Sequence, residues 1–204
     1  MEVTYISQRH AINASPPPSM VDLKEQWPFL FIKRFLFTHF HTLTGIEVES
    51  RFGESLDVKA RKILHFFESQ LTRWKKEVRK VIRDYHDREF EGSDVHRGLA
   101  AILVLMAFFQ EKEDALFLLA DVTTTQADAE AQLSLPDTPR IIMLGDSILE
   151  SKKWMLSIEG KVLIQPTDHQ TDFTSALAVL FTAYYVFNIE YQVEAATTME
   201  FIQR

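Results

Sequence analysis

SLDVKARKILHFFESQLTRWKKEVRKVIRDY, residues 55–85, carries an apolar side chain at every third or fourth position. Leu56, Ala60, Ile63, Phe67, Leu71, Trp74, Val78, Val81 and Tyr85 make one stripe. Such spacing lines one face of a helix, here about thirty residues or about 45 Å long. Ser55 suits the cap, and Asp57 puts negative charge in the first turn, where unpaired N–H groups favour it. The helix is read over 55–88, with room for a kink. A stripe of that length needs a long partner.

The C-terminal stretch supplies one. From Asp172 onward, Phe173, Leu177, Leu180, Tyr184, Phe187, Tyr191, Ala195, Thr198 and Ile202 follow the same period over about thirty residues. Adjacent Tyr184 and Tyr185 cannot both point inward. An earlier helix is expected from Trp27-Pro28 to Gly45. Proline fits a first helical position, and glycine takes a left-handed end cheaply. Its Phe29, Phe31, Ile32, Phe35, Leu36, Phe37 and Phe40 make it apolar nearly all round, which predicts a central place. Leu99, Ile102, Leu103, Met106 and Phe109 mark a further helical face. Asp114–Val122, with few β-branched residues, is read as helix over strand. Residues 123–139 read as a loop with one helical turn near Ala127–Ala131.

The pattern changes at Arg140. Ile141–Leu144 is a short apolar run, and Trp154–Ile158 and Lys161–Ile164 flank Glu159-Gly160, which is a hairpin signal. Three such strands are marginal alone and must pack on the helices. The fold class is therefore mainly α (α+β): a helical bundle built around two long amphipathic helices, with a small β-hairpin or three-stranded sheet at about 140–165. Pro16-Pro17-Pro18 separates a flexible arm, residues 1–19, from a single domain over 20–204.

Composition narrows the function classes. The 204 residues include 46% hydrophobic and 25% charged residues and sixteen Phe, a globular rather than disordered balance. The absence of cysteine rules out disulfides and Cys-ligated zinc, and agrees with a cytoplasmic or nuclear protein. The most apolar stretches, Phe29–Phe40 and Ala176–Ile189, are too short or too interrupted to span a bilayer. A formal charge of −7 repels polyanions at long range.

Few patterns carry chemistry. Arg73, Lys76, Arg79, Lys80 and Arg83 form a basic face on the 55–88 helix, a candidate interaction face. Glu77, Asp84, Asp87 and Glu89 interrupt it or follow it. Phosphate contact along that face is the alternative use. Gly145-Asp146-Ser147, after an apolar run, resembles the nucleophile block of Gly-Asp-Ser-Leu esterases, which makes Ser147 the nucleophile of a remote hydrolase reading. The family's Asp-x-x-His element is missing; Asp168 directly precedes His169, the only later histidine. The other histidines form no ligand set: His39 and His41 point apart on a helix, and His65–Glu68 and His86 read as ordinary surface groups. No cofactor motif is present, and the six glycines are dispersed.

One resemblance is visible. Tyr184-Tyr185-Val186-Phe187-Asn188-Ile189-Glu190-Tyr191 and Met199-Glu200-Phe201-Ile202-Gln203-Arg204 resemble the C-terminal region of fish proteins labelled as similar to sterile-alpha-motif-domain-containing protein 3. So do Trp27–Phe31 and Gly145-Asp146 with the Trp154 hairpin. The resemblance covers about 20–204, lacks the sterile alpha motif itself, and implies an adaptor or assembly role. The expected function is a non-enzymatic, intracellular protein-interaction or scaffold domain. It has a protein partner or forms a homo-oligomer, with no cofactor, metal, membrane or small-molecule substrate. A nucleic-acid-associated protein is the alternative.

Overall fold

The computed structural model describes residues 2–165 and 172–203. It is mainly α with a four-stranded mixed sheet. Its centre is made by two helices with no polar face: α6 (Arg97–Phe109), buried continuously from Leu99 to Met106, and α8 (Phe173–Val186), buried nearly throughout. A helix apolar on all sides must be covered on all sides. The helices α3 (Lys33–Thr44) and α4 (Val48–Ser69) pack on α8, and α4 and α5 (Lys76–Phe90) pack on α6. Each Leu or Ile taken fully out of water there contributes about 1.5–3 kcal/mol.

The two long stripes are each broken. The first divides into α4, a 3-10 turn at Leu71–Arg73, and α5. Neither glycine nor proline lies at the break. Trp74 is extended (φ −85°, ψ 155°), and its indole N–H donates to the Phe67 carbonyl at 2.8 Å. Its ring packs against Phe66, Phe67 and Phe108. That aromatic cluster turns the chain so that α4 and α5 both lie on α6. The second stripe ends at Asn188, which is left-handed (φ 55°). The Ile189 N–H reaches the Tyr184 carbonyl at 2.9 Å, closing α8. The chain resumes as α9 (Ala196–Gln203). Within α8 Tyr184 is buried and Tyr185 half-buried, the division their adjacency requires.

The Pro28–Phe31 segment is a 3-10 turn, separated from α3 by extended Ile32; α3 ends at left-handed Gly45 as its sequence requires. Phe29 and Ile32 are exposed, and α3 buries only Leu36, His39 and Phe40. Lys33, Arg34, Thr38 and Thr42 give it a polar side, so α3 covers the core rather than forming its centre.

The sheet has one more strand than expected. Residues 117–120, read as helix, form β1 (Phe117–Ala120), parallel to β2 (Arg140–Leu144). Parallel pairing is compatible with an apolar strand poor in β-branched residues, because burial rather than propensity selects it. The crossover carries α7 (Gln126–Gln132), capped by a reciprocal Thr125–Asp128 pair. Strands β3 (Lys153–Ile158) and β4 (Lys161–Ile164) follow antiparallel, in the order β1-β2-β3-β4. Their turn has positive φ at both Glu159 and Gly160, as a two-residue hairpin requires. Ile141, Met143, Trp154 and Leu156 face the helical core, while Ile142, Leu144, Met155 and Val162 meet Ala129 of α7. Gly145 ends β2 against Ser151. A methyl group there would lie 2.7 Å from Ser151 Oγ and 3.3 Å from its Cα.

Residues 1–19, expected as a flexible arm, hold the helix α1 (Glu2–Ile12). Arg9 donates to the Val186 carbonyl at 2.7 Å, capping α8, and Ile12 is buried. After the prolines, Ser19 caps α2 (Met20–Gln26). Lys24 then donates to the Leu163 carbonyl at 2.8 Å, on the outer edge of β4. His39, read as a surface group, is fully buried beneath α1. Its Nδ1 lies 3.1 Å from Gln8 Oε1 and its ring packs on Tyr5, while Nε2 is buried without a hydrogen-bond partner. Because Gln8 Oε1 is an acceptor, the proton sits on Nδ1, and a second proton would bury an unpaired N–H.

Two outcomes follow from these contacts. Burial first, and the nearby Arg9 charge second, hold His39 at about 4, below its ordinary 6.5. The unfolded chain therefore binds the proton first as pH falls. His39 leaves stability intact above about 6.5 and removes on the order of 3 kcal/mol by about pH 4. Urea midpoints measured between pH 7 and 4 must fall less steeply for His39→Phe than for the native chain. Separately, Gly145→Ala must lower stability by about 1–3 kcal/mol through overpacking, seen as a lower urea midpoint at unchanged slope.

Candidate functional site

The basic residues follow the broken helix. Lys76, Arg79, Lys80 and Arg83 lie on α5, whereas Arg73 lies on the preceding turn, donating to Gln70 Oε1 at 2.7 Å. The five residues therefore do not form one helical stripe. All are exposed. The inner face of α5 buries Val78, Ile82 and Tyr85 and packs on α6. At about 100° per residue, the four α5 cations fall within an arc of about 100° on the opposite side. None of the four is in an ion pair or side-chain hydrogen bond among the described residues.

Two further residues share that arc. Asp87 lies within it, and so does Phe90, whose side chain is 94% exposed. The sequence reading passed over Phe90 because it falls after the last residue of the apolar stripe. Its spacing of seven from Arg83, two helical turns, is the signal that places it on the basic face. Four cations and an uncovered aromatic ring thus share one surface of a helix. Trp, Tyr and Arg dominate interface energetics, and an exposed Phe offers a comparable apolar anchor.

The borders of the face are acidic and tied down. On one side Lys80 and Glu77 line a cleft of about 790 Å³ with Lys112, Glu113 and Asp114; Lys75 reaches Gln110 Oε1 at 2.8 Å there. At the other end Arg88 donates to Asp84 at 3.1 Å and also to Glu150. Glu68 of α4 pairs with His86 at 2.9 Å.

The Gly145-Asp146-Ser147 block meets this network. Ser147 Oγ donates to Glu150 Oε2 at 2.9 Å. Hydrogen bonds from Ser93 and Ser147, together with Arg88, hold the Glu150 carboxyl below the usual range. His96 Nε2 instead lies 3.0 Å from the Ser151 carbonyl. Asp168 and His169, the other residues of the hydrolase reading, fall outside the described residues. No group of three or more His, Asp or Glu is placed to hold a metal among the described residues. No described helix is long and apolar enough to cross a membrane.

Residues 1–32 match the family model of the sterile alpha motif domain-containing protein 3 helical domain. The matched stretch is α1, α2 and the Pro28–Phe31 turn, the segment that caps α8 and borders β4. It overlaps the resemblance read from the sequence at residues 20–32 and adds the N-terminal helix. No curated protein and no solved structure matches the chain. The N-terminal part of this chain is thus a helical region like that of sterile alpha motif domain-containing protein 3, and the match does not include a sterile alpha motif.

Proposed function

We propose that the chain is a non-enzymatic protein-interaction or scaffold domain, acting in the cytoplasm or nucleus, that docks an acidic protein surface on α5. The supporting observation is the shared exposed face of Lys76, Arg79, Lys80, Arg83 and Phe90. Unpaired cations steer an acidic partner and set its register, while a desolvated ring supplies affinity. The N-terminal likeness to a helical domain agrees with such a role. Ser147 donates to the Glu150 carboxylate, whose hydrogen bonds and Arg88 make it a weak proton acceptor, which favours a structural use of its turn. Nucleic acid is the less suited polyanion, because the chain carries −7 overall and Asp84 and Asp87 adjoin the cations. The acidic partner is a second protein or a second copy of this chain.

The test uses native chain, Lys76→Glu/Lys80→Glu and Phe90→Ala as baits in nuclease-treated cell extract, with sedimentation equilibrium of each alone. Both variants alter exposed residues, so their unfolding midpoints should match the native one within about 0.5 kcal/mol. A specific acidic partner, or self-association, should weaken at least tenfold in each variant. Equal recovery with all three baits sinks the proposal. Binding lost on nuclease treatment and restored by added RNA or DNA replaces it with the nucleic-acid reading.

A further inference from the structure

We propose that a second, separate site on this protein binds a single-chain aliphatic carboxylate. The site is a half-open pocket of about 410 Å³ lined by residues of α3, α4, α6, α8 and α9. Its walls are Phe40, Phe52, Leu56, Ile102, Leu105 and Phe181. A volume of 300–1,000 Å³ with mainly apolar walls is what a small-molecule site presents.

The polar groups of the pocket are unusually one-sided. Among the described residues no Asp or Glu lines it, although the chain has 29 of them against 22 Lys and Arg. Its charged lining residues are Arg51 and Lys59, both exposed on α4. With Ser55 between them they occupy positions i, i+4 and i+8, one edge of a helix. The three side chains have no ion pair and no side-chain hydrogen bond among the described residues. Elsewhere on α4 the cation is engaged: Arg61 pairs with Asp57 at 2.9 Å. Positive charge without an ion pair among the described residues therefore borders the apolar hollow.

This combination selects the chemistry of the ligand. An uncharged hydrocarbon would leave the cations unused, and a phosphate or sugar would leave the aromatic walls uncovered. A carboxylate on a saturated chain satisfies both, with the chain along Phe52, Leu56 and Ile102 and the head group at the Arg51–Ser55–Lys59 edge. A hollow of this volume suits one extended chain better than a partner helix, which needs a groove several turns long. The site does not depend on the α5 surface, which lies on a different helix.

Decanoate, and neutral decanol as its uncharged counterpart, are the probes for calorimetric titration of the full chain. Methyl NMR shifts locate the binding. Arg51→Ala/Lys59→Ala changes exposed side chains, and its unfolding midpoint verifies that it folds. The native chain should take up one decanoate, below the micellar range, with shifts at Leu56, Ile102 and Leu105. The double variant should bind decanoate at least tenfold more weakly and bind decanol as the native chain does. Each of the following overturns the proposal: no saturable decanoate binding, shifts confined to another surface, or unchanged decanoate affinity in the double variant. Self-association of the native chain that shields the pocket methyls and is unaffected by decanoate would assign the pocket to a second copy instead.

Discussion

The burial of α6 and α8 is the constraint from which the rest of the architecture follows. Neither helix has a face that water can wet, so neither is stable until covered on every side. One amphipathic helix cannot enclose another. α3, α4 and α5, the sheet and α9 each contribute one apolar side to that enclosure. This explains why the sheet has two unlike faces. Ile141, Met143 and Leu156 belong to the main core, while Ile142, Leu144 and Met155 need their own small cover, which α7 provides. It also explains why α4 and α5 separate: a straight helix of thirty residues would run past α6, which has thirteen. The turn at Trp74 brings the second half of the stripe back over it.

The periodicity of the sequence identified apolar stripes correctly but could not show where they break. The spacing from Leu56 to Tyr85 runs on across residues 70–75 although Leu71 is exposed there, and the two halves pack separately on α6. The break is held by the Trp74 indole and its aromatic neighbours, one of which is Phe108, thirty-four residues away. The local sequence contains no glycine or proline to announce it. Asn188 did carry a local signal, since Asn tolerates the left-handed conformation, but it lay inside an unbroken pattern. β1 was misread for a related reason. Phe117-Leu118-Leu119-Ala120 has helical propensity, and only pairing with β2, more than twenty residues later, makes it a strand. The Glu159-Gly160 hairpin and the Gly45 helix end were legible because the required backbone angles are written in the residues themselves.

The candidate surfaces divide along the same line. Charge spacing on one helix is local, so Lys76, Arg79, Lys80 and Arg83 could be grouped from sequence, and Phe90 could have joined them. Arg73 lies across the hidden break, on the turn that precedes α5, so helical spacing does not relate it to the other four. The α4 pocket was invisible. Phe40, Ile102 and Phe181 are distant in sequence, and their convergence depends on α3 and α4 packing on α8 and on α4 packing on α6. The absence of acidic residues from its lining has no linear signature.

The chain ends are attached differently from the centre, and this bears on how the pocket behaves. α1 is held by Arg9 on the Val186 carbonyl, by Gln8 on His39 and by Ile12. α9 is held by Met199 and by the Glu111 carboxylate, which accepts from the Thr197 and Thr198 N–H groups at its start. A carboxylate at a helix N-terminus contributes about 0.3–1 kcal/mol, far less than the burial that fixes α6 and α8. Segments with few buried apolar contacts open at lower free-energy cost than the core. Phe201 and Ile202 of α9 form one wall of the pocket, and Gln203 closes it through a hydrogen bond to Tyr185. The pocket thus has walls on α4, α6 and α8 that belong to the main core, and one on α9, which buries fewer residues of its own. A ligand filling the pocket adds apolar contact to the wall that has least of its own, and its binding stabilises the folded chain.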